Sequence, residues 1–406
     1  MAGPLSHVRV LDLSRIMAGP WSTQILADLG ADVIKVERPG VGDDTRSWGP
    51  PYLKDSGGSD TKEAGYYLAV NRGKRSITVS LDKPEGQNII RQLAARSDIL
   101  LENYKVGTLA RFGLDYESLK VANPRLIYCS ITGYGQTGPK RELAAYDFAI
   151  QGMGGLMSVT GERDDRPGGG PQKVGIPIVD LTTGMYATVA VLAALASRHE
   201  TGRGDYIDVG MLDVQAAMLC NQAMNYFTGG QVPRRHGNAH PNIQPQDVYA
   251  CRDGAMVLAC GNDRQFQEIS HIIGRPELAQ DPRYSTNSAR VRNLGTLAPI
   301  LQECFGHEDR AYWVAALEAA GVPCGPINTV AEVFEDPQVR FRQMRIKLSH
   351  PLAVNIPLVG SPMVFTEEPL TLERAPPLLG QHTDEILQEL GLDATAIAQL
   401  RRDQVI

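Results

Sequence analysis

The stretch VRVLDLSRIMAGPWSTQILADLGADVIKVE, residues 8–37, decides the fold. Val8–Leu13 is a short apolar run, Pro20–Leu29 reads as a helix, and Asp32–Glu37 (DVIKVE) is a second strand-like run. Strand, helix and strand within about 30 residues make a βαβ unit, whose strands are parallel. The alternation continues outward from this unit. Ser76–Ser80, Ile99–Glu102, Leu126–Ile131 and Asp205–Val209 read as further strands, and Pro84–Ala95 reads as a helix. The expected fold class is α/β, a Rossmann-like open sheet with helices on both faces.

At 406 residues the chain exceeds one average domain of about 150 residues. The large α/β domain is expected to begin with residues 1–225. Two long loops interrupt it, 38–65 and 161–177, and such loops are more often functional than idle. A helix over 181–198 is apolar on most faces and is expected to be buried; another spans 212–226. Residues 230–325 read as a smaller α+β domain, with strands at 248–250 and 256–259 and helices near 265–273, 289–304 and 311–320. Residues 326–406, with a strand at 362–365 and a helix at 383–390, return to complete the large domain.

Composition narrows the function. Hydrophobic residues make up 43% and charged residues 21%, so the chain can bury a large core. The 40 Lys and Arg against 46 Asp and Glu leave a net charge of −6, unsuited to general nucleic-acid binding. Six scattered cysteines without a C-x-x-C pair argue against a zinc site and a disulfide framework, and suit reduced thiols in the cytoplasm. The first residues do not read as a signal peptide, and no uninterrupted apolar run approaches 18 residues, so no membrane partner is expected.

Several residues invite chemistry, each with a structural alternative. Ala18-Gly19-Pro20 reads as the turn between the first strand and its helix; it is either a plain βα turn or the mouth of an anion site. Arg38, Arg72, Lys74, Arg75 and Arg111 either hold a phosphorylated ligand or are solvated surface charge. Asp180 precedes the apolar helix. It is either that helix's N-cap or a carboxylate nucleophile toward an activated acyl group. His236 and His240 stand four apart in a loop with no third ligand, so no metal is expected. Gly152-Met153-Gly154-Gly155 falls short of a dinucleotide fingerprint.

A longer set of motifs is more specific. Leu11-Asp12-Leu13, Ala18-Gly19-Pro20, residues 27–37, Gly42-Asp43-Asp44-Thr45-Arg46, residues 71–76, Glu102-Asn103-Tyr104, residues 131–139, residues 201–205, residues 321–326 and Leu379–Thr383, in this order, resemble the class III CoA-transferases. These are the relatives of formyl-CoA transferase, carnitine CoA-transferase and α-methylacyl-CoA racemase. The likeness covers essentially the whole chain, and the run Gly42–Pro51 is most similar to the succinate–hydroxymethylglutarate branch.

The resemblance implies a large Rossmann-like domain built from both chain ends, a smaller central domain, and an interlocked, ring-like homodimer. It implies transfer of CoA from an acyl-CoA donor such as succinyl-CoA to a dicarboxylate such as glutarate. The route runs through an aspartyl anhydride and an aspartyl-CoA thioester, with CoA as substrate and no prosthetic group. Asp180 falls at the family's nucleophile, and Arg38, Arg72, Lys74, Arg75, Asn103, Tyr104, Arg111 and Tyr146 fall where relatives hold CoA. Met17, Ala18, Arg46, Trp48 and His240 fall on the substrate side, with Arg46, Arg234, Arg235 and His240 as receptors for a distal carboxylate. Tyr146 stands where racemases of the family carry histidine, which favours transfer. Met17 and the run 237–243 depart from the glutamine and glycine loop of formyl-CoA transferase. A racemase-like isomerase, a CoA-dependent lyase or hydrolase on the same scaffold, and a non-catalytic CoA-binding protein remain the alternatives.

Overall fold

Six parallel strands form the central sheet of the computed structural model, which describes residues 3–406. They are β1 (Arg9–Asp12), β2 (Asp32–Glu37), β3 (Lys74–Thr78), β4 (Ile99–Glu102), β5 (Ile127–Thr132) and β6 (Tyr206–Gly210). Their spatial order is β3-β2-β1-β4-β5-β6, all neighbours parallel. Val10 of β1 pairs with Val33 on one side and Ile99 on the other. The central strands are buried on both faces, which is why they read as continuous rather than alternating apolar runs. This is the doubly wound order, and its direction reverses between β1 and β4.

One face of the sheet packs Leu11, Ile34, Ile77 and Leu100 against helix α2 (Pro84–Ala95) and the tail residues Ile386 and Leu387. The other packs Val10, Val33, Ile99 and Ile127 against α1 (Ala18–Asp28) and α4 (Ile178–Thr201), with α3 (Asp147–Met153) between these two in sequence. The tail also covers the β3 edge. The Ser76 N–H donates to His382 Nδ1 at 3.1 Å, the His382 N–H donates to the Ser76 carbonyl at 2.9 Å, and the Ser80 N–H donates to the Val405 carbonyl at 2.7 Å. A sheet edge closed this way no longer offers free backbone groups.

This unit comprises residues 3–155, 174–220 and 337–406. The second unit comprises 156–173 and 221–336, so it begins before residue 230, runs past 325 and takes in a stretch expected in the large domain. It has a three-stranded antiparallel sheet, Gln246–Cys251, Gly254–Ala259 and Cys324–Pro326, over a core that includes Phe266, Leu297, Phe305, Trp313 and Leu317.

Several elements differ from expectation. Ala18-Gly19-Pro20 is not a turn but the first turn of α1, with Pro20 as its third residue; the turn proper is 13–17. The loop 38–65 contains a 3₁₀ turn, Asp44–Ser47, and a hairpin, Tyr52–Lys54 with Asp60–Ala64. The helix over 212–226 breaks into Met211–Met218 and Cys220–Gly229, with Cys220 at φ 38°. The helix over 289–304 likewise divides into Asn287–Arg292 and Leu294–Phe305. No strand forms at 362–365; the tail hairpin is Arg345–His350 with Ala353–Val359.

α4 spans 24 residues, and by length and composition alone it is apolar enough to cross a membrane. It is not buried on most faces. Thr183, Ala187 and Val191 are buried, while Met185 (55% exposed), Tyr186 (49%) and Val189 (64%) face outward. Its inner face touches α1 closely: Thr188 Oγ1 and Ser22 Oγ lie 2.9 Å apart, and a Cβ on Gly184 would stand 2.5 Å from the Ala18 carbonyl oxygen. Gly184→Ala must therefore push α4 off the start of α1. We expect a loss of about 1–3 kcal/mol, typical of overpacking, measured by urea unfolding; unchanged stability would refute this contact.

Candidate active site

In a doubly wound sheet, ligands bind outside the carboxyl ends of the strands, where the strand order reverses. Here that place lies between the segments following β1 and β4, which are stitched together. Asn103 Oδ1 accepts from the Arg15 N–H at 2.9 Å, and Asn103 Nδ2 donates to the Arg15 carbonyl at 2.7 Å. Ile16 is held at φ 72°, costly for a β-branched residue. Its N–H donates to both carboxylate oxygens of Asp43 at 3.2 Å, which helps to fix it there.

A buried ion network supports these segments from below. Lys35 Nζ donates to Asp43 at 2.8 Å and to the Ser14 carbonyl at 2.9 Å. Lys74 Nζ donates to Asp12 at 3.1 Å, the Pro20 carbonyl at 2.9 Å and Asn71 Oδ1 at 2.9 Å. Both ammonium groups are wholly buried. Burial pulls Lys74 down to about 8 against the pull of Asp12, whereas for Lys35 the opposing burial is outweighed by Asp43, Asp12 and Glu37, which raise it.

Two clefts open at the crest. The larger, about 920 Å³, is lined by Arg15, Arg38, Lys83, Tyr104, Arg111 and Arg401, among others. The guanidinium groups of Arg38 and Arg111 are exposed and make no ion pair among the described residues. The smaller, about 190 Å³, shares Arg15 and Tyr104 with the first and is lined by Met17, Ala18, Asn103, Tyr146 and Asp180. Gly133 also lines it, and a Cβ there would stand 2.2 Å from the Ala145 Cβ, so the wall closes only around glycine.

Asp180 is the third residue of α4, not its cap; Pro177 holds the cap position. The capping acceptor comes from α3. Asp147 Oδ2 accepts the Val179 N–H at 2.7 Å and the Asp180 N–H at 3.2 Å, while Oδ1 accepts from Gln151 Nε2 at 2.5 Å. The Asp180 carboxylate accepts no hydrogen bond among the described residues and borders the cleft. Burial, and the negative charge of Asp147 beside it, push its carboxyl up to about 7. Tyr66, which sequence reasoning missed, lies close enough that burial and then the charges of Asp180 and Asp147 raise its hydroxyl. The only hint of it was the aromatic pair Tyr66-Tyr67 just beyond the loop 38–65.

Of the residues expected to bind CoA, Arg38, Asn103, Tyr104, Arg111 and Tyr146 line the clefts, but Arg72, Lys74 and Arg75 do not. Arg72 is bidentate to Asp28, at 2.8 and 2.5 Å. Arg75 pairs with Asp32, Glu385 and Glu389. Their donors hold the large unit together. Arg46 is likewise no receptor for a distal carboxylate. It is bidentate to Glu37, at 2.8 Å twice, donates to Glu63 at 2.8 Å, and lies 3.7 Å from the Tyr67 ring centre. Trp48 meets the site through Tyr66, edge-on at 5.2 Å. His240 and Arg235 belong to the second unit. There His240 Nδ1 accepts the Asn242 and Ile243 N–H groups at 3.0 Å, and Arg235 pairs with Asp164. Arg234 is exposed in that same unit. The Gly135 N–H, a candidate oxyanion donor by position, is already given to Thr132 Oγ1 at 2.8 Å.

A cationic cleft large enough for a nucleotide, joined to a small one that presents an unbonded carboxylate, defines an enzyme of polyanionic acyl carriers. The chain belongs to CoA-transferase family III, whose profile matches residues 5–383, and it is a CoA-transferase. It is 48% identical over 387 residues to succinate–glutarate CoA-transferase of Agrobacterium fabrum, covering 95% of this chain and 96% of that one. It is 43% identical over 398 residues to human succinyl-CoA:glutarate CoA-transferase, covering 98% and 88%. Among solved structures, a CAIB/BAIF family protein from Brucella suis superposes with a TM-score of 0.83 at 48% identity, covering 96% and 100%.

Replacing Asp147 by Asn removes the like charge beside Asp180 and leaves the helix-capping oxygen. A carboxyl raised by a neighbouring negative charge must then titrate lower. We expect the Asp180 midpoint, near pH 7 in the unaltered protein, to fall. Carbon NMR of labelled aspartate, with Asp180→Asn to assign the signal, would read it. An unmoved or higher midpoint would contradict the coupling.

Proposed function

We propose that the protein exchanges CoA between succinyl-CoA and a short dicarboxylate such as glutarate, with Asp180 as nucleophile. The observation that carries this reading is the unbonded, desolvated Asp180 carboxylate at the wall of the cleft next to the cationic one. The curated relatives named for succinate and glutarate support the acid pair.

In the first step an Asp180 oxygen attacks the thioester carbonyl. The carbon–sulfur bond breaks, CoA leaves as thiolate, and a mixed anhydride remains. The thiolate then attacks the Asp180 carbonyl carbon, giving an aspartyl-CoA thioester and expelling succinate. The incoming carboxylate attacks that thioester, and the same two steps run backward to release the new acyl-CoA and the free aspartate. Each acyl bond broken is replaced by one of comparable energy, so the cycle needs no other energy source. Arg38 and Arg111, with open guanidinium groups, bind CoA phosphates. Tyr104 borders both clefts and Asn103 the smaller one, and the two receive the chain between nucleotide and thioester.

We further assign the working form as the interlocked homodimer, supported by Met185, Tyr186 and Val189, an apolar stripe left exposed on α4. Incubation with succinyl-CoA and glutarate should yield glutaryl-CoA without metal or ATP. The protein should transiently gain the mass of CoA less water on the peptide holding Asp180. Asp180→Asn should lose both signals and keep its fold, since Asp180 does not cap α4. Exchange retained in that variant, or no new acyl-CoA with the unaltered enzyme, would overturn the proposal.

A further inference from the structure

A dicarboxyl acyl group brings a second carboxylate into the Asp180 cleft, and a desolvated carboxylate needs a cation. Of the positions that sequence favoured for that task, Arg46 is consumed by Glu37 and Glu63, and Arg235 is paired with Asp164. The 190 Å³ cleft itself holds three cations: Arg15, Lys105 and Arg141.

They are not equivalent. Arg15 also lines the larger cleft and pairs with Asp44 at 2.9 Å, so it belongs to the nucleotide side. Lys105 also lines a third cavity of about 300 Å³ that contains Glu102, Asp115 and Glu117, so it is shared with an acidic neighbourhood. Arg141 lines the Asp180 cleft and neither of the others. Only its Nε is engaged, by the neighbouring Glu142 at 3.0 Å, in a pair exposed on both sides. Such a pair is weak. Both terminal nitrogens of the fork are open, the arrangement that takes a carboxylate bidentately. The rest of the wall includes Met17, Ala18, Ile131, Ala145 and Met211, which suits the methylene chain of a short diacid.

We propose that Arg141 is the receptor for the distal carboxylate and makes the enzyme selective for dicarboxyl over monocarboxyl acyl groups. The inference rests on the proposed aspartyl-CoA route and adds a specificity residue to it. The test is single-turnover formation of the Asp180 adduct from succinyl-CoA and from butyryl-CoA, which has an uncharged acyl end, in the unaltered enzyme, Arg141→Gln and Arg141→Lys. The expected succinyl preference is at least about tenfold in the unaltered enzyme, the worth of one charge-assisted pair. It should collapse toward parity in Arg141→Gln through loss of the succinyl rate alone, and return in part in Arg141→Lys. Two results would overturn the assignment: a preference unchanged in Arg141→Gln, or equal losses with both donors. No adduct from either donor in the unaltered enzyme would instead show that the aspartyl-CoA route has failed, taking the assignment with it.

Discussion

Two lysines buried under the ends of β1, β2 and β3 hold the crest of the sheet in place. Lys35 and Lys74 reach Asp43 and Asp12 and, with their remaining donors, the carbonyls of Ser14 and Pro20. The Ser14 carbonyl lies within the turn 13–17 and the Pro20 carbonyl in the first turn of α1 that follows it, and the turn has no glycine to relax it. A buried charge whose partner is removed costs about 3–5 kcal/mol, so each lysine enforces the backbone it touches. The strained φ of Ile16 persists because Asp43 is itself fixed, by Lys35 on one oxygen and by the Thr45 N–H on the other at 3.0 Å. Dinucleotide folds reach a comparable crest with a Gly-rich turn. This chain reaches it with ion pairs, and so presents side chains at the ligand rather than bare backbone.

The same network shows what was legible in the sequence. The strands were, because parallel strands buried on both faces are short apolar runs with little else to be. Asp180 was found, but its setting was not. Ile176-Pro177-Ile178-Val179 looks like the approach to a helix rather than its start, and the acceptor that permits the start, Asp147, lies 33 residues away. The basic cluster 72–75 was misleading for a related reason. Cations gathered at a strand end look alike whether they await a phosphate or already hold a carboxylate. The deciding partners, Asp12, Asp28 and Asp32, sit in other elements. Arg38 and Arg111, found by the same reasoning, kept their charge available. No local feature separates the two groups; only pairing does.

Desolvation tunes the Asp180 carboxylate for this chemistry. In the proposed cycle Asp180 must attack a thioester and later leave from an anhydride and from its own thioester. A strongly stabilised carboxylate would leave well but attack poorly. Burial and the adjacent Asp147 raise its basicity while leaving the anion accessible near neutral pH. Asp147 is suited to this because its two oxygens are already spent on Gln151 and on the backbone of α4, so it supplies charge and position without competing for the acyl carbon.

The distribution of cations completes the division of labour. Arg38 and Arg111 border the large cleft, Arg15 borders both, and Arg141 borders only the small one. CoA carries its phosphates at one end and its reacting sulfur at the other, so a site that reads both ends needs its charges kept apart. Were the guanidinium groups of Arg46, Arg72 and Arg75 also open, several would compete for the same phosphates and for the diacid, and orientation would blur. Closing them into pairs with Glu37, Asp28 and Asp32 does two things together. It stiffens the sheet that carries Asp180's surroundings, and it leaves charge exposed only where the substrate has charge to meet it.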